Sequence, residues 1–134
     1  MFMKRLFAFL FALLLPLAIA APYTSATSFY PTVYYEVSGQ AQVTEATYHY
    51  RVKVRHNVIQ EGYGQTSNGA PAWGDFKQII KLSAKDKKKA ILELYSVSME
   101  DGKELHKLVI PLHKSAGKVY SNQSFRNVRV YELK

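Results

Sequence analysis

Tyr48-His49-Tyr50-Arg51-Val52-Lys53-Val54-Arg55 alternates apolar and polar residues without a break. In an extended chain successive side chains point to opposite faces, so Tyr48, Tyr50, Val52 and Val54 share an oily side while His49, Arg51, Lys53 and Arg55 share a cationic one. The segment predicts a half-buried strand. The same period of two recurs outward from it, over residues 32–38, 58–66, 75–82, 90–99, 104–113 and 127–133. Beyond Ala21 no stretch keeps the i, i+3, i+4, i+7 apolar spacing of an amphipathic helix. About seven short strands at this spacing predict an all-β chain folded as an antiparallel sandwich, with its domain over residues 32–134.

Turn chemistry punctuates the strands. Glu100-Asp101-Gly102-Lys103 contains Asp-Gly, the dipeptide that tolerates the positive φ of a tight hairpin. His56-Asn57 is a second turn candidate without glycine. The lysine-rich segment 83–89 reads as a solvated connection whose charges keep a sheet edge from pairing. Pro111 has no N–H to give to a ladder and predicts an edge strand or a bulge.

The 134 residues carry 18 Lys plus Arg against 10 Asp plus Glu, and no cysteine. Residues 1–20 begin Met-Phe-Met-Lys-Arg, continue without charge from Leu6 and close on Ala18-Ile19-Ala20. That is the pattern of a secretory signal peptide, too short and too interrupted by Pro16 for a stable membrane span. Residues 21–31 form a polar, aromatic lead. The expected location is secreted or held at the extracytoplasmic envelope. Without thiols the domain must rest on core packing, and disulfides, thiolate metal sites and thiol catalysis are excluded.

The densest punctuation lies at Gly62-Tyr63-Gly64-Gln65-Thr66-Ser67-Asn68-Gly69-Ala70-Pro71-Ala72-Trp73-Gly74-Asp75-Phe76. Before it stands Val37-Ser38-Gly39-Gln40-Ala41-Gln42-Val43-Thr44-Glu45-Ala46. After it come Tyr95-Ser96-Val97-Ser98-Met99-Glu100-Asp101-Gly102-Lys103-Glu104 and Val109-Ile110-Pro111-Leu112. In this order the four blocks, over residues 37–113, resemble the Gmad2 family, the immunoglobulin-like domain of bacterial spore-germination proteins. The resemblance implies an immunoglobulin-like sandwich that serves as an exported accessory or interaction module, and it brings no catalytic residues with it. The chain continues through residues 115–134 past the family's usual end, where Val128-Arg129-Val130-Tyr131 is strand-like and could complete a sheet. Within the glycine-rich block, Tyr63, Pro71 and Trp73 admit two readings. Trp73 could fold back to cap one end of the core, or Trp73 and Tyr63 could offer a stacking surface to a ligand.

Motifs for chemistry are missing. There is no Gly-x-Ser-x-Gly elbow and no His-Glu-x-x-His, and Gly62-x-Gly64 lacks the third glycine and the helix of a dinucleotide site. His49 stands among cations, while His106 and His113 fall on opposite faces of a regular strand, so no metal site is expected. Asn122-Gln123-Ser124 fits a glycosylation acceptor but reads as an ordinary loop triplet. No enzyme activity and no cofactor are expected.

What remains is charge. In the implied immunoglobulin-like topology the second, fourth and fifth strands commonly share a sheet, which would set His49, Arg51, Lys53 and Arg55 beside Lys77 and Lys81 as one basic face. Such a face could simply be solvated, or it could attract an anionic cell-envelope polymer or an acidic protein partner. Nucleic acid is not expected, because export removes the chain from it and the tyrosines point inward. The competing expectation is an inhibitor that docks the loop from Tyr63 to Trp73 into a partner enzyme.

Overall fold

The structure, a computed structural model, describes residues 29–134; the expected signal peptide and most of the lead lie outside the described residues. Seven strands form: β1 Thr32–Ala41, β2 Thr47–Val54, β3 Asn57–Gln65, β4 Gly74–Ser83, β5 Ala90–Val97, β6 Glu104–Pro111 and β7 Phe125–Leu133. No described helix is long and apolar enough to cross a membrane.

Two antiparallel sheets result, one ordered β4-β1-β7 and the other β3-β2-β5-β6. The β2–β3 and β5–β6 hairpins stay inside one sheet. The remaining connections cross between sheets: three contain short 3-10 turns, at Thr44–Ala46, Ala84–Asp86 and Leu112–Lys114, and the fourth is the glycine-rich loop between β3 and β4. This corrects the expected arrangement. The second and fifth strands pair, but the fourth lies in the opposite sheet, because alternation fixes which face a residue occupies and not which sheet its strand joins.

Alternate residues of both sheets meet in one core. Tyr35 and Val37 from β1, Tyr48, Tyr50 and Val52 from β2, Phe76, Ile80 and Leu82 from β4, Leu92 and Leu94 from β5, Leu108 and Ile110 from β6, and Phe125, Val128 and Val130 from β7 are all buried. The 115–134 tail therefore completes the fold, since β7 pairs along β1 and supplies core side chains. Tyr48 spans the layers. Its hydroxyl donates to Gln78 Oε1 at 2.8 Å, and burial pushes its pKa up to about 12, so it stays a neutral donor.

Local chemistry accounts for the irregularities. Gly62 and Gly64 sit on the edge strand β3, where a Cβ would fall 2.9 Å and 2.3 Å from the hydroxyls of Tyr50 and Tyr48. The phenol rings occupy the place of side chains, which is why the Gly-x-Gly is there. Gly102 has φ 72° in the expected β5–β6 hairpin. The other hairpin turns one residue earlier than expected: Arg55 and His56, at φ 51° and 70°, make the two-residue turn, and Asn57 opens β3 opposite Val54. Pro111 ends the edge strand β6 as its missing donor requires. A bulge at His106, φ 53°, and a 3-10 turn holding His113 replace the regular strand assumed for that pair.

Candidate functional site

On the outer face of the β3-β2-β5-β6 sheet, β2 presents His49, Arg51 and Lys53 in register with Tyr95, Glu93 and Ile91 of β5. Arg51 is locked there. Its Nε lies 2.5 Å from Glu93 Oε1, its two terminal nitrogens bind both oxygens of Glu104 at 2.5 and 2.6 Å, and its guanidinium stacks 4.6 Å from the centroid of the Tyr95 ring. Lys53 Nζ stands 3.3 Å from Glu93 Oε1 and Lys107 Nζ 3.8 Å from Glu93 Oε2. His49 stacks on Tyr95, centroids 5.5 Å apart.

Burial pushes the Glu93 carboxyl upward, yet hydrogen bonds from Arg51 and Lys53 and the charges of Arg51 and Lys107 outweigh it and hold it below the usual carboxylate range. The Arg51 hydrogen bonds do the same for Glu104. Arg51, Lys53 and Lys107 thus spend their charge on Glu93 and Glu104, and this face is a closed polar network more than a cationic one.

Lys77 and Lys81 are elsewhere. They project from β4 on the outer face of the other sheet, where Lys77 lies 3.5 Å from Glu36. The single basic face expected from sequence is therefore divided over opposite sides of the sandwich. Pro71 is exposed in the glycine-rich loop, whereas Tyr63 lies on β3 and not in that loop, opposite His49 with the ring centroids 6.0 Å apart and 70 % exposed. Trp73 is half-buried outside the main core with the Arg126 guanidinium 4.2 Å above its ring. The indole is a stacked rim residue, not the core cap.

The strongest concentration of cations forms where sequence reading saw only a loop. Val54 pairs with Ala90, and Ser83 leads through residues 84–89 into Ala90, so the β2–β3 turn and the β4–β5 connection share one end of the sandwich. Arg55 and His56 come from the first, and Lys85, Lys87, Lys88 and Lys89 from the second, with Asp86 among them. Of these, Lys87 binds Glu132 at 2.6 Å, while Arg55, Lys88 and Lys89 have no ion-pair partner among the described residues. Acidic Glu45, Asp75, Glu100, Asp101 and Glu104 gather at the other end, beside Lys103 and Arg126. Charge is polarised along the strands.

Between the turn and the connection opens a groove of about 490 Å³, lined by Val54, Arg55, Asn57, Ile59, Lys85, Asp86 and Lys89. The register between β2 and β3 slips here, with Val52 opposite Gln60 but Lys53 opposite Val58. Ile59 is the extra residue of that bulge, a device that re-aims a side chain.

Elsewhere the polar groups are committed to the fold. His106 Nδ1 lies 2.6 Å from Ser124 Oγ, and the Asn122 amide donates to the His106 carbonyl while its oxygen accepts from the Ser124 and Phe125 N–H groups. The glycosylation-like triplet is a loop staple. No group of three or more His, Cys, Asp or Glu that could hold a metal occurs among the described residues.

Two packed antiparallel sheets of short strands define an immunoglobulin-like sandwich. The model of the Gmad2 family, the immunoglobulin-like domain of bacterial spore germination, matches residues 21–103, more than half of the chain. The chain belongs to that family, which is not a known family of enzymes. β6 and β7 lie beyond the matched residues. No curated protein and no solved structure matches the chain.

Proposed function

We propose that this chain is an exported, non-catalytic interaction module that attaches to an anionic polymer of the bacterial cell envelope through the cationic end of its sandwich. The observation that carries this reading is the convergence of Arg55 with Lys88 and Lys89 at one end, none with an ion-pair partner among the described residues, in contrast to Arg51 and Lys53 on the sheet face, which pair with Glu93 and Glu104. An exposed cluster in which cations outnumber acids draws a polyanion by long-range attraction and releases it as salt screens the charges. The signal-like residues 1–20 and the family's association with germination suit an envelope setting.

The test is retention on isolated cell-wall material across a salt series. Arg55→Glu with Lys89→Glu is expected to abolish retention at low salt, whereas Lys103→Glu at the opposite end leaves it intact. Equal retention of both variants would overturn the reading. Docking of the loop from Tyr63 to Trp73 into a partner enzyme takes second place, because Arg126 covers Trp73 and Tyr63, though exposed, sits on β3 beside His49 and not on the loop. Binding of that kind rests on apolar contact and would persist at high salt.

A further inference from the structure

Resting on the polyanion reading, we infer that the groove beside Arg55 is a subsite for one acidic sugar residue, its carboxylate held by the cations and its ring laid on the apolar floor. The lining divides by chemistry in the way such a ligand does. Arg55 offers a planar fork that matches a carboxylate, with the Lys85 and Lys89 ammoniums beside it. Val54 and Ile59 give an apolar patch suited to the C–H face of a sugar ring. Asn57 can donate and accept, and Asp86 only accepts when ionised, so both suit hydroxyl groups. Asp86 also separates this ligand from a bare polyanion, since a carboxylate in the groove repels a chain that brings charge and no hydroxyl donors. The volume of about 490 Å³ falls within the range of small-molecule sites.

Two backbone features point to the same place. A two-residue hairpin turn with both φ values positive is most easily made by Asn-Gly, yet here it is Arg55-His56. Side chains are kept at a conformational cost, and such local strain clusters at binding sites. The bulge at Ile59 interrupts the β2–β3 ladder beside that turn and places an isoleucine in the groove, where it is 46 % exposed.

The experiment is titration of the protein, followed by its amide resonances, with tetragalacturonate, with neutral tetragalactose and with inorganic polyphosphate. Tetragalacturonate is expected to shift residues 54–59 and 85–89, and tetragalactose to leave them unmoved. Arg55→Gln should weaken tetragalacturonate by about tenfold, the scale of one bidentate charge-assisted contact. Asp86→Asn should weaken tetragalacturonate but strengthen polyphosphate. If Asp86→Asn strengthens both ligands, the groove responds to charge alone and the sugar assignment fails while the polyanion reading stands. Shifts confined to Lys88, with the groove silent, would also overturn the subsite and spare the wider reading. Binding of neither anion would overturn both. Unchanged resonances in β5 and β7 establish that each variant is folded.

Discussion

Tyr48 and Gly64 show how a single residue sets the packing: with a Cβ at Gly64 falling 2.3 Å from the Tyr48 hydroxyl, Gly64→Ala must drive that ring out of place and disturb its hydrogen bond to Gln78. Overpacking of this kind costs about 1–3 kcal/mol, so the variant should unfold at lower denaturant with an unchanged slope. Arg51 is the second residue on which much depends. Arg51→Met leaves Glu93, only 6 % exposed, with Lys53 and Lys107 alone. Loss of a partner from a buried pair costs about 3–5 kcal/mol, and the partial exposure of Glu104 reduces this to roughly 2–3 kcal/mol. The pH dependence follows from the lowered carboxyls. Glu93 and Glu104 bind fewer protons folded than unfolded in the acid range, so their contribution is complete above the usual carboxylate pKa and fades as pH falls through the lower folded values. Thermal melts from pH 7 downward should therefore show a steeper acid loss in the native protein than in Arg51→Met. Equal slopes would remove the network from the stability of the fold.

Among the elements, the strands were legible and their partners were not. Alternation in Tyr48-His49-Tyr50-Arg51-Val52-Lys53-Val54 placed both tyrosines inward and both cations outward, as found. It carried no information that β5 would set Glu93 opposite Arg51, because that depends on sheet order, and so paired cations passed for a free basic face. Glu93 could have been singled out as the one acid in the apolar run Ala90-Ile91-Leu92-Glu93-Leu94-Tyr95. The β2–β3 turn was legible to within one residue: His56 marks it, but arginine is not a turn former by preference, and only the backbone angles show that the pair is Arg55 and His56. Replacing them by Asn-Gly relieves two positive-φ residues at about 1 kcal/mol each. Arg55→Asn with His56→Gly should thus raise the melting temperature while losing affinity for anions, an opposition that a purely structural turn would not show. β7 gives the converse prediction. Because Phe125, Val128 and Val130 are core residues and β7 pairs with β1, a chain stopped after Ser115 should lose its cooperative melt even though all of the family-matched residues are retained.

For the whole molecule, the consequential feature is the separation of charge along the strands, which neither the net charge of +8 nor the spacing of lysines discloses. On the β3-β2-β5-β6 face Glu93 and Glu104 hold Arg51 and Lys53, and on the other face Glu36 pairs with Lys77, whereas Arg55, Lys88 and Lys89 at the end formed by the β2–β3 turn and the β4–β5 connection have no ion-pair partner among the described residues. The position of a charge therefore matters more than its number. The most direct test is salt-dependent retention on cell-wall material of two variants with equal net charge, Lys88→Glu with Lys89→Glu at the cationic end and Lys77→Glu with Lys81→Glu on the sheet face. Loss in the first and retention in the second is the result predicted; equal loss in both, or loss only in the second, would contradict it.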